Sequence, residues 1–138
     1  MSPHQVLLPS GWPRPKGYAN GIAAVRGRPV FVAGMIGWDA EGRFPPPGAD
    51  GEFAAQARLA LENIAAVLRE AGAQPAHIVR MTWYVVDKRE YLAAGAAIGR
   101  AWREIIGHYG VAMTAVEVRA LIEDRARVEI EATAVIPE

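Results

Sequence analysis

The chain has no cysteine and only two serines, Ser2 and Ser10, in 138 residues. Without cysteine there is no disulfide framework, zinc finger, iron–sulfur cluster or thiolate nucleophile. Ser10 lies between Pro9 and Gly11, outside any strained strand-to-helix elbow, and reads as a turn residue. Charge of one sign is also lacking: fifteen Lys and Arg balance fifteen Asp and Glu. The footprint of sequence-independent nucleic-acid binding is therefore missing. No apolar run approaches the ~20 residues of a membrane span. The leading residues have no basic region, long apolar stretch or small-residue cleavage site, so a soluble, cytoplasmic protein is expected. The three histidines, His4, His77 and His108, are scattered with no ligand spacing. Each is expected to be structural or superficial, and no metal or cofactor site is expected.

What is present is apolar. Hydrophobic residues make up 51% of the chain, ample for one core in a single domain spanning residues 1–138. Residues 1–16 hold four prolines and read as an irregular leading segment. Ile22–Arg26 and Val30–Gly34 flank Gly27-Arg28-Pro29 and predict a β-hairpin. Residues 35–50, with Pro45-Pro46-Pro47, predict a long surface loop. Between Asp50 and Gly72, Phe53, Ala57, Leu61, Ile64, Leu68 and Ala71 recur at three- and four-residue steps, which predicts a helix. Asp50 suits its N-cap and Gly72 its C-terminal stop.

His77–Val86 alternates as a strand, with Val79, Met81, Trp83 and Val85 on one side. Asp87 can cap a second helix to about Gly107, with Leu92, Gly95, Ile98, Trp102 and Ile105 in a stripe. Two further strands follow, roughly Ala112–Leu121 and Ala126–Ile136. The order β-β-α-β-α-β-β gives an α+β fold, a mixed sheet with both helices on one face. Nothing is left to cover the other face, so association is expected.

Carboxylates are the chemically suggestive residues. Glu129 and Glu131 alternate with Val128, Ile130 and Ala132, so both point away from the apolar face; Glu117 lies in the preceding strand. They form either a solvated face, charge-paired with Arg127, or the lining of a cleft in which a carboxylate holds water or moves protons.

In its motifs and their order the chain resembles the RidA (YjgF) family. The resemblance runs from about Tyr18 to Val135. It rests on Gly17-Tyr18-Ala19-Asn20-Gly21, Val30–Gly37, Gln56, Leu61-Glu62-Asn63-Ile64, Glu70-Ala71-Gly72-Ala73, Ile78–Val85, Val116-Glu117-Val118 and Val128–Val135. It implies a chorismate-mutase-like homotrimer with ligand clefts between subunits. It also implies hydrolysis of reactive imines and enamines to a carbonyl compound and ammonia, with positioned water and no cofactor. The family's glutamate falls on Glu129, its pocket tyrosine on Tyr18 and its loop glycine on Gly34. Its carboxylate-gripping arginine would stand three residues before Val-Glu-Val, where this chain has Met113.

Methionine offers no donor, so a bidentate contact to a carboxylate is lost. Arg119 shares parity with position 113 but lies six residues further on, roughly 20 Å along a strand; Arg80 and Arg103 remain as candidate cations. Trp83, with Trp38 and Tyr84, is either ordinary packing or the wall of a more apolar pocket. The expected activity is thus on a substrate unlike 2-aminoacrylate, the alternative being a non-catalytic ligand-binding trimer. An endoribonuclease or translation-inhibitor role is disfavoured by zero net charge.

Overall fold

The computed structural model describes all residues, Met1–Glu138. Its strands are β1 (Gln5–Leu7), β2 (Gly21–Ala23), β3 (Gly27–Ile36), β4 (Ile78–Val85), β5 (Ala112–Glu117) and β6 (Val128–Pro137). Its α-helices are α1 (Glu52–Glu70), α2 (Lys88–Ala93) and α3 (Gly95–Ile105). The mixed α+β architecture is as expected: a four-stranded sheet in the order β3-β6-β4-β5, antiparallel except for the parallel β4–β5 pair. No helix is long and apolar enough to cross a membrane.

The expected hairpin does not form. β2 pairs instead with β1, which lies in the leading segment read as irregular, and β3 pairs with β6. The reason lies at Gly27. It is not a turn residue but the first residue of β3, where an added Cβ would fall 2.0 Å from the Ile136 carbonyl oxygen. Glycine serves here for close strand approach.

α1 ends as predicted. Gly72 takes φ 74, its N–H bonds to the Arg69 carbonyl, and Ala73 N–H reaches back to Leu68, a Schellman closure. Its start differs: Gly51, at φ 80, occupies the cap position, not Asp50, and no side chain caps it. The second predicted helix breaks at Ala94 into α2 and α3. Asp87 does cap α2, accepting from the Arg89 N–H, and Glu117 accepts from the Lys88 N–H at 2.9 Å. The last two strands are not neighbours: β4 lies between β5 and β6.

In β4 a register irregularity between Ile78 and Arg80 resets the alternation. Ile78, not Val79, therefore joins Met81, Trp83 and Val85 in burial. These residues pack with Val128, Ile130, Ala132 and Ala134 of β6 beneath α1 residues Ala57, Leu61, Ile64 and Leu68. Burial of this order stabilises at about 25 cal/mol per Å² of apolar surface. Gln56 lies within the apolar face of α1 yet is fully buried. It can be there because its amide accepts from Arg127 N–H at 2.8 Å and donates to the Arg125 carbonyl at 3.0 Å, fixing the entry to β6. Across the sheet Phe31 is 76% exposed, so that face is uncovered in a single chain.

Two histidines are structural. His4 Nδ1 accepts from Val25 N–H. His108 bonds through Nε2 to the Pro75 carbonyl at 2.8 Å and through Nδ1 to Gly110 N–H at 3.2 Å, an arrangement that uses the neutral imidazole. Burial lowers the His108 pKa and outweighs the opposing Pro75 bond. The folded state therefore binds fewer protons than the unfolded chain once pH drops below the ordinary value of about 6.5. Stability is full above that value and declines as pH falls through it towards the lowered folded pKa. The urea midpoint is expected to fall on acidification from about pH 7.5 to about pH 5.5, and less steeply in His108→Phe.

Candidate functional site

The alternation of β6 decides where its acids go. With Val128, Ile130 and Ala132 locked into the core, Glu129 and Glu131 must point to the uncovered face. They pair there in register with Tyr84 and Thr82 of β4. The two carboxylates are not equivalent. Glu131 accepts a hydrogen bond from the Tyr84 hydroxyl at 2.6 Å. That bond is the largest reason the Tyr84 pKa is raised above the usual phenol value. Glu129 makes no side-chain hydrogen bond. Arg127 pairs with Glu90 of α2 and not with either acid, so the charge-paired face offered by the sequence does not form.

Glu129 is placed by Gly34. The β3–β6 register shifts between Val32 and Met35, which brings the backbone of Gly34 against the acid. A Cβ on Gly34 would lie 2.0 Å from Glu129 Oε2. The glycine is required for this approach, since its φ is not in the left-handed region. The structure thus brings Gly34 and Glu129 together as one half-buried, open carboxylate site.

Tyr18, Met113 and Trp83 lie elsewhere. Ala19 N–H bonds to the Val111 carbonyl at 2.9 Å and Ala19 bridges Ala112. This holds Tyr18 beside the start of β5, where it lines a cleft of about 460 Å³ with Arg14, Tyr109 and apolar residues of β1. Met113 is in register with Met81 and so faces the helix layer, opposite to Glu129. Met113 and Trp83 line a second cavity, of about 250 Å³, bounded by Tyr91, Ile98, Trp102 and Lys16. Gly17 and Tyr109 border both hollows, which makes them neighbouring compartments.

Of the other aromatics, Trp38 stacks obliquely on Phe44 in the 38–44 loop, and Tyr84 is engaged with Glu131. Neither lines these hollows. Arg80 lines the uncovered face beside Glu131, and Arg103 lines neither hollow. The cations at the hollows are Arg14 and Lys16, which sequence reasoning missed. Their signal was weak, because both lie in the proline-rich leading segment with no periodicity to orient them.

A family model described as Endoribonuclease L-PSP matches residues 13–136. A RutC family protein of Pyrococcus abyssi is 33% identical over 133 residues, covering 94% of this chain and 95% of its own. A 2-iminobutanoate/2-iminopropanoate deaminase of Salmonella typhimurium is 34% identical over 119 residues, 86% of each chain. Among solved structures, a Rid-family protein of Yersinia pestis superposes with a TM-score of 0.81 at 31% identity, covering 96% of this chain and 98% of its own. The chain belongs to the RidA (YjgF) family.

Gly34→Ala is expected to swing the Glu129 carboxylate away from β3. The clash is with a movable side chain, so the stability loss should be about 1–2 kcal/mol, the low end of overpacking. Urea denaturation measures the cost and a crystal structure of the variant the displacement. An unmoved carboxylate would contradict the placement.

Proposed function

We propose that this protein hydrolyses a reactive imine or enamine metabolite to a carbonyl compound and ammonia, in the cytoplasm, on a substrate unlike 2-aminoacrylate. One observation carries the reading most directly: Glu129 is an open, half-buried carboxylate against a glycine backbone, while its neighbour Glu131 is tied to Tyr84. A free carboxylate beside space for water is what addition of water to a C=N bond requires. Kinship with a deaminase of 2-imino acids supports the chemistry.

In this reading Glu129 takes a proton from water as its oxygen adds to the imine carbon, and passes that proton to the nitrogen, which returns Glu129 to the carboxylate form. Glu129 then takes the carbinolamine hydroxyl proton and delivers it to the nitrogen, so that the C–N bond breaks with release of ammonia as the carbonyl forms. Tyr18, Met113 and Trp83 shape the substrate-binding compartment, and Gly34 sets the carboxylate. Neither a metal nor a cofactor takes part in these steps.

Glu129 and Met113 lie on opposite faces of one sheet, so a complete site needs a second copy. We infer a homotrimer in which the β5 side of one subunit meets the Glu129 face of its neighbour. The uncovered sheet face around Phe31 supports this. Nucleic acid and membrane are not partners in this reading.

The test generates imines from several amino acids with an amino-acid oxidase and follows their decay with and without protein. Acceleration is expected. Glu129→Gln should reduce it by about 10²-fold or more, the usual contribution of a general acid–base. Met113→Arg should raise turnover of the small alanine-derived imine by supplying a bidentate carboxylate contact. No acceleration for any imine overturns the hydrolytic reading. Met113 itself favours the second reading, a non-catalytic binder, which would show as thermal stabilisation by 2-oxo acids without turnover.

A further inference from the structure

The 250 Å³ cavity between β4–β5 and α2–α3 has a composition that Met113 alone does not explain. Its walls include Trp83, Tyr91, Ile98, Trp102 and Met113, and Lys16 stands on its border. Trp83 is 1% exposed, and its Nε1–H is a buried side-chain donor with no hydrogen-bond partner. The contrast with the second indole is direct: Trp102 Nε1 donates to the His108 carbonyl at 2.7 Å. Trp83 is held edge-on to Tyr91 at 5.8 Å between ring centroids. Trp83 thus contributes apolar ring surface to the cavity, while its Nε1–H is itself sealed within the protein.

Volume narrows the class. An apolar cavity of about 150 Å³ holds a benzene molecule, so 250 Å³ takes one aromatic ring and a short chain. The alanine-derived imine would leave most of that wall without contact. Charge narrows it further. Lys16 takes part in no ion pair within the chain, and its ammonium can meet a carboxylate as a point charge without the geometry an arginine demands.

We propose that this cavity binds the aromatic side chain of a 2-imino or 2-oxo acid against its aromatic wall, with Lys16 meeting the carboxylate. As a statement about substrate it rests on the hydrolytic reading above; as a statement about binding it does not.

The test measures calorimetric binding of phenylpyruvate and pyruvate to the full chain, with oxidase-generated imines of phenylalanine and alanine assayed in parallel. Phenylpyruvate is expected to bind at least tenfold more tightly than pyruvate. Lys16→Gln should weaken it about tenfold. Gly95→Leu, on the cavity wall where an added Cβ meets nothing within 4 Å, should fill the space and weaken phenylpyruvate by a similar factor. A leucine suits a helical position better than glycine does, so this variant should keep its circular dichroism spectrum. Equal binding of the two acids, or a Gly95→Leu variant that binds phenylpyruvate unchanged, overturns the proposal. Tight phenylpyruvate binding without turnover of any oxidase-generated imine upholds the cavity assignment and overturns the hydrolytic reading. Faster hydrolysis of the alanine imine, with no preference for phenylpyruvate, does the reverse.

Discussion

The strict two-residue period of β6 is the constraint on which the rest depends. Val128, Ile130, Ala132 and Ala134 are fixed beneath α1 by burial, and a one-residue slip would exchange both faces at once. The register is pinned at the strand entry by Gln56, whose amide holds backbone groups of both Arg125 and Arg127. Glu129 therefore cannot retreat into the core or rotate to the helix side. Its placement follows from hydrophobic packing on the opposite face rather than from any polar interaction of its own. Functional geometry is here a by-product of core geometry.

The sheet divides the chemistry into two halves. On one face Gly34 and Glu129 supply an open carboxylate. On the other, and around the β5 edge, Tyr18, Met113, Trp83 and Lys16 border apolar hollows. Met113 belongs to the second half and lies on the face opposite to Glu129. The open carboxylate and the apolar hollows are thus spatially separate, and side chains can be exchanged in one half without disturbing the other.

Much of this was legible in the sequence, and the exceptions have physical causes. The α1 stripe, its Gly72 stop, the Asp87 cap and the outward aim of Glu129 all follow from local periodicity and turn chemistry. The hairpin expectation failed because glycine has two uses, and Gly27 serves close packing against Ile136 rather than a turn. The face of Val79 was misassigned because a bulge shifts the alternation without leaving a compositional mark. Pairing partners were hardest to read. β5 and β6 are consecutive in sequence, but β4 separates them, an outcome decided by tertiary packing. The family resemblance pointed to Gly34 and Glu129, and the structure sets these two residues against one another.

The bridge from Ala19 to Ala112 does more than hold a tyrosine. β5 ends the sheet, and a terminal strand offers a row of unsatisfied backbone groups to any passing chain. The leading segment lies across the start of that row and masks it, while the stretch beyond Met113 stays open. Trimming the first twenty residues would therefore expose a sticky edge, and the penalty would be paid in colloidal solubility before it was visible in the fold.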